Sequence, residues 1–199
     1  MPRTADQALA RSRRKEILDA AAACFIERGT HQTTMREIIA RAGLSAGAVY
    51  SYFDGKDALI EALAARERAE IEDLAAHLES VGDPVRAIVE AVHAIISECS
   101  HDDARLAIEL LAEASRNEAV KQAVGHNDQA LREAFADAIA RAMRTGAISS
   151  PLPAPLLLET VIALYEGFVG RIAVDDRADR DAFAAAAASA LRRLFGAGP

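Results

Sequence analysis

Three groups of residues have types and spacings that chemistry could use. Gly43-Leu44-Ser45-Ala46-Gly47 fits G-x-S-x-G, the elbow that presents a nucleophilic serine in many hydrolases. Cys99, His101 and His126 carry metal-ligating atoms. Arg11, Arg13, Arg14 and Lys15 place four cations in five positions, which suits contact with nucleic-acid phosphates or entry into a minor groove.

The elements that must position these groups separate them. A nucleophile elbow needs a strand before the serine. The residues before Ser45 are MREIIARA, which have helical periodicity, so a hydrolase survives only as the enzyme-class rival and no catalytic residue is assigned. Cys99, His101 and His126 lack a recognisable ligand spacing, so neither a metal nor a cofactor is expected. The region around Ser45 reads better as two short helices. Thr34 and Glu37 form a capping box, and Met35, Ile38, Ile39 and Ala42 make one apolar face. Gly43 suits a helix end that needs positive φ, and Leu44 can fill the space between the helices. Ser45 is an N-cap for a second helix anchored by Val49 and Phe53. Two short helices joined by a turn of about 3–4 residues that includes Gly fit a helix-turn-helix.

Residues 13–63, RRKEILDAAAACFIERGTHQTTMREIIARAGLSAGAVYSYFDGKDALIEAL, resemble the DNA-binding domain of the TetR/AcrR family of bacterial transcription regulators. The matching features are the Ala-rich first helix ending in Phe25 and Gly29, then Thr33-Thr34, Ile38 and Ala42-Gly43. Gly47, Tyr50, Tyr52, Phe53 and Lys56 complete the match. The resemblance covers about a quarter of the chain. It implies an all-α fold, with an N-terminal three-helix DNA-binding domain over residues 1–55 and a six-helix ligand-binding and dimerisation domain over residues 56–199. It also implies a cytoplasmic homodimer that occupies a double-stranded DNA operator and is released by a small-molecule effector. The expected DNA contacts are Arg14, Thr34, Arg36, Ser45, Ala46, Gly47, Ala48, Tyr50, Ser51, Tyr52 and Lys56, with Tyr50, Tyr52 and Lys56 gripping phosphates. Positions 46, 48 and 51 often carry Lys, Thr and His in the family, and here they are Ala, Ala and Ser. The reading helix has no Arg, Asn or Gln for bidentate base contacts. A sequence-tolerant DNA-organising protein is therefore the second reading.

Composition is compatible with this. The chain has 199 residues, 51% hydrophobic and 27% charged, and a net charge of −7. Residues 1–60 carry nine Lys/Arg against seven Asp/Glu, and residues 61–199 carry fourteen against twenty-three. A head poised for DNA on an acidic body has that asymmetry. No apolar run reaches the roughly 18–20 residues of a membrane span, and the N-terminus has no apolar signal segment. Cys24 and Cys99 lie in apolar helical patterns and read as buried free thiols suited to a reducing compartment.

Residues 1–10 read as a loose arm. Asp83-Pro84 starts a helix whose stripe is Val85, Ile88, Val89, Val92, Ile95, Ile96 and Cys99. The last two helices read as a dimer surface through Ile162, Phe168, Val169, Phe183, Ala187, Leu191 and Leu194. Polar residues on otherwise apolar helices are the effector-pocket candidates: His93, Glu109, Glu113, Tyr165 and Glu166. Residues 56–199 hold five aromatics and no Trp, so an apolar or acyl-like effector fits better than a flat cation.

Overall fold

The computed structural model describes residues 3–196. Among them it has nine helices and no strand: α1 (Arg3–Gln32), α2 (Met35–Ala42), α3 (Ala46–Tyr50), α4 (Lys56–Ser80), α5 (Pro84–Glu98), α6 (His101–Ala114), α7 (Glu118–Arg144), α8 (Ala154–Val174) and α9 (Arg180–Leu194). The chain forms two compact units. Unit 1 runs through Glu67 and takes in Leu106–Val124, and unit 2 holds Arg68–Arg105 and the chain from Gly125 onward. The packing unit that contains the helix-turn-helix is thus larger than residues 1–55. No helix among the described residues is long and apolar enough to cross a membrane.

The loose arm expected over residues 1–10 is corrected, because α1 already begins at Arg3. From Arg3 to Gln32 the chain holds one Gly and no Pro, and its first part is rich in Ala and Arg, both good helix formers. Met1 and Pro2 lie outside the described residues. Gly29 breaks the helix with φ 79° and ψ 154°, a backbone that L side chains rarely adopt. The apolar stripe of α1 is the centre of unit 1. Ile17, Ala21 and Phe25 are fully buried, together with Ile38 of α2, Val49 of α3 and Leu59 and Ile60 of α4. Leu106, Leu110 and Val120 close the same core from α6 and α7.

Unit 2 wraps α5. Asp83 accepts the Val85 and Arg86 N–H groups and Pro84 follows it, so the helix starts as its sequence predicts. Ile88, Val92 and Ile96 are fully buried, with Phe135 and Ile139 of α7, Leu157 of α8 and Leu191 of α9. Ala184 and Ala187 are also fully buried, and their small side chains let α9 lie close to its neighbours. Cys24 is buried and Cys99 half-buried, both as free thiols. Burial pushes the Cys99 thiol up to about 11, which leaves it protonated and unreactive at neutral pH.

The expected dimer residues need a correction. Ile162, Ala187 and Leu191 lie inside unit 2 with at most 1% exposure, so a second copy cannot reach them. Phe168 and Phe183 stack on each other at 5.0 Å within the protomer, and Val169 and Leu194 pack half-buried against the same core. The outward face of α8 is instead Leu156, Thr160, Ala163, Gly167 and Val174, at helical spacing. That of α9 is Ala182, Ala185, Ala186, Ser189 and Ala190.

The capping box is complete. Glu37 Oε2 accepts from Thr34 N at 2.8 Å and from its hydroxyl at 2.9 Å, and the Thr34 side chain accepts from Glu37 N. The Thr34 backbone bond, more than any other contact, holds the Glu37 carboxyl below its ordinary value. A depressed folded pKa stabilises above the unfolded value of about 4.3 and loses that effect as pH falls through the folded value. The Tm gap between wild type and Glu37→Gln is therefore expected at pH 7 and should close below about pH 4. Thr34→Ala should cost about 1 kcal/mol in urea unfolding. A Glu37→Gln gap independent of pH would assign the residue to packing.

Candidate nucleic-acid interface

The turn between α2 and α3 is built locally. Gly43 caps α2 at φ 65°, ψ 22°, and its N–H donates to Ala40 O. Ser45 Oγ accepts from Ala48 N at 3.2 Å, which starts α3. Val49 is fully buried and pins α3 to unit 1. A helix, not a strand, precedes Ser45, and its hydroxyl oxygen serves as a cap, so no nucleophile elbow is formed. Ser51 Oγ donates to Ala48 O at 2.7 Å and keeps its lone pairs as acceptors.

What α3 presents is small. Ser45, Ala46, Gly47, Tyr50 and Ser51 are exposed, and Ala48 is half-exposed. A Cβ at Gly47 would meet nothing within 4 Å, so nothing inside this chain requires glycine there. The bare backbone is open to a surface from outside.

The structure sorts the cations around this helix. Arg13 pairs with Glu16 at 2.7 Å and Lys15 with Asp19 at 2.5 Å. Arg28 reaches Glu37 and Arg41 reaches Glu27, each at 2.6 Å. Arg14 and Arg36 are exposed and make no ion pair among the described residues, and exposed Arg11 makes only a 3.4 Å bond to Gln7 O. The Arg14 guanidinium lies 4.5 Å over the ring of Phe53, three residues past the end of α3. Stacking leaves the edge N–H groups of Arg14 available to phosphate. Of the four-cation cluster, Arg11 and Arg14 are thus the members without an ion pair among the described residues. Charge counting did not single out Arg11, because its status depends on which side chains find partners.

Two expected phosphate contacts have other work. Lys56 Nζ donates to Thr30 O at 2.8 Å and more weakly to Thr33 O at 3.5 Å. Tyr52 is half-buried against the unit 1 core, while Tyr50 is 47% exposed. The Thr34 hydroxyl is engaged in the capping box.

The five effector-pocket candidates are divided between the two units. Glu109 and Glu113 belong to unit 1, whereas His93, Tyr165 and Glu166 belong to unit 2. His93 is exposed. Glu113 is buried and bonded to Thr30 and Arg116. Burial, with the charge of Asp128 next, raises the Glu166 carboxyl above its ordinary value. A cavity of about 390 Å³ in unit 1 is lined by Arg28, Gly29, His31, Gln32, Glu109 and Arg116. Its charged lining does not suit an apolar effector. Cys99 and His101 are tied to backbone carbonyls, the latter through Nδ1 to Ile172 O at 2.7 Å, and His126 is exposed.

Comparison with known proteins gives concordant results. A family model described as bacterial regulatory proteins, tetR family, matches residues 17–63. One described as BetI-type transcriptional repressor, C-terminal, matches residues 82–196. The HTH-type transcriptional regulator UidR of Escherichia coli K12 is 27% identical over 196 residues, 96% of this chain and 94% of that protein. Salmonella enterica GusR superposes with a TM-score of 0.73 at 26% identity, over 93% of this chain and 96% of that one. FadR from Bacillus subtilis, solved with stearoyl-CoA, shares the fold with a TM-score of 0.76 at 20% identity, over 93% and 99%.

Arg11→Ala and Arg14→Ala should each weaken binding to specific and scrambled duplexes alike. Each should lower the slope of log affinity against log salt by about 1, the signature of one lost phosphate contact. Arg13→Ala should change the slope less. Equal slopes for all three variants would show that intramolecular pairing does not select the contacts.

Proposed function

This chain belongs to the TetR family of bacterial regulatory proteins, which are DNA-binding transcriptional regulators, and we propose that it is a homodimeric repressor released by a small apolar or acyl-like effector. The observation that carries the operator reading is α3. It is a short helix with an exposed face of Ser45, Ala46, Gly47 and Ser51, flanked by Tyr50 and by Arg14 and Arg36, which make no ion pair among the described residues. Laid in a major groove, such a face reads by methyl contact with thymine and by serine hydroxyls, while Arg36 and DNA shape add selectivity. Arg11, Arg14 and Tyr50 hold the phosphates. Lys56 contributes through the backbone it ties together.

One short helix reads few base pairs, so two copies about 34 Å apart on a palindrome supply the rest. We assign the contact between copies to the outward faces of α8 and α9. A Cβ at Gly167 or Gly170 would meet nothing within the protomer, so these glycines leave room for a close helix crossing from outside. The effector belongs in unit 2, whose core is mostly aliphatic. The FadR structure with stearoyl-CoA illustrates that this fold can hold an acyl chain. The site of action is the cytoplasm, where the operator is.

A second reading, binding with little sequence preference, is favoured by the lack of Arg, Asn or Gln on α3. Fluorescence anisotropy against DNA upstream of the protein's own gene and a scrambled duplex, at two salt concentrations, separates the two. A preference of about 10³ or more supports the operator reading, and equal, steeply salt-dependent affinities support the second. Gly167→Arg is expected to give a helical monomer by light scattering, with operator affinity lower by on the order of 100-fold because the two half-sites no longer bind as one unit. A dimer that persists in this variant would move the interface off α8.

A further inference from the structure

Buried polar or charged side chains are few in this protein: Thr30, Thr33, Glu113 and Asn127 among the described residues. Three of them meet at one place in unit 1. Glu113, 7% exposed on α6, accepts the Thr30 hydroxyl at 2.8 Å across 83 positions of sequence. The same oxygen accepts Arg116 Nε at 2.9 Å. The carbonyl of Thr30 accepts Lys56 Nζ at 2.8 Å. The Thr33 hydroxyl lies 2.8 Å from Gly29 O and 3.1 Å from Cys24 O. One turn before Glu113, Glu109 Oε2 lies 3.2 Å from where a Cβ on Gly29 would stand. The face of α6 that carries both carboxylates is therefore fitted to the break between α1 and α2.

Resting on the operator reading above, we propose that Glu113 is a positioning residue for DNA binding, which through the Thr30 hydroxyl fixes the α1–α2 corner that carries the helix-turn-helix. A buried carboxylate gives little net stability over a well-packed apolar residue. What it adds is direction. A hydroxyl–carboxylate bond weakens steeply when its distance or angle changes, whereas an apolar contact slides. Thr30 stands one residue past the Gly29 break and four before the N-cap Thr34. Rotation at this corner swings α2 and α3 together, since Thr33, Thr34 and Gly43 hold each successive turn by local bonds. Thr30, Arg116 and Lys56 keep the Glu113 carboxyl ionised against the effect of burial, and its ordinary value is lowered.

The test uses the full-length protein and a duplex enriched by the wild type from a random-sequence pool. That enrichment tests the operator reading by itself, and each variant is then compared with wild type on the same duplex. Thr30→Val, which removes only the hydroxyl, and Glu113→Leu should each bind on the order of tenfold more weakly. Their salt slopes should be unchanged, because no phosphate contact is lost. Their double mutant should bind no more weakly than the poorer single variant. Thr30→Ser and Glu113→Gln keep a donor and an acceptor in place and should stay within about threefold of wild type. Should Glu113→Leu fail to fold, Thr30→Val and Thr30→Ser decide the matter alone. Wild-type affinity in Thr30→Val would overturn the proposal, as would equal losses in Thr30→Ser and Thr30→Val.

Discussion

The tightest constraint on this molecule is the corner at Gly29. A long amphipathic helix must stop, turn and start another helix within five residues, with every freed carbonyl satisfied. Gly29 adopts φ 79°, which ends the helix. Its carbonyl, with those of Cys24, Thr30 and Thr33, then needs donors. The Thr33 N–H donates to Gly29 O, the single Thr33 hydroxyl proton is within reach of Gly29 O and Cys24 O, and the Lys56 ammonium serves the others. The direction of α2, and through the Gly43 turn that of α3, follows from how this corner is closed. The lysine drawn in to close it spends its ammonium on backbone carbonyls of the corner.

The reading surface is defined as much by what is neutralised as by what is present. The head contains several arginines, but those with a carboxylate one helical turn away or on a packed neighbour present little net charge to a phosphate. Exposed pairs of this kind are worth only about 0–1 kcal/mol, so they sort the cations by availability more than they hold the fold. α3 is held by Val49 from behind and capped by its own serines, and apart from Tyr50 the side chains it leaves outside are small.

Unit 2 follows another rule. α5 is apolar on most of its surface and must be enclosed, so α7, α8 and α9 each contribute their largest apolar face to it. The residues that look most like interface in a helical wheel are those taken up by this enclosure. The faces left outside carry Ala, Gly, Ser and Thr beside charged residues such as Glu159, Arg171 and Arg193, with Leu156 and Val174 as the large exposed apolar residues of α8.

The sequence by itself determined the all-helical fold and several helix ends: the Thr34–Glu37 box, the Gly43 cap, the Ser45 cap and the Asp83-Pro84 start. It also located the family resemblance in residues 13–63. These signals are legible because capping, positive φ and 3.6-residue periodicity act over a few neighbouring residues. Tertiary structure decided the rest. It set which apolar face of α8 and α9 turns inward, since both faces carry hydrophobic or small residues and only packing against α5 chooses between them. It set which arginines have partners, since Arg28–Glu37 and Arg41–Glu27 are separated by nine and fourteen positions. It also brought Glu113 to Thr30, making a polar residue on an amphipathic helix a buried one in the packing unit of the helix-turn-helix. Such pairings depend on where helices meet in space, and hydrophobic periodicity specifies which stripe of a helix is buried without specifying against which partner.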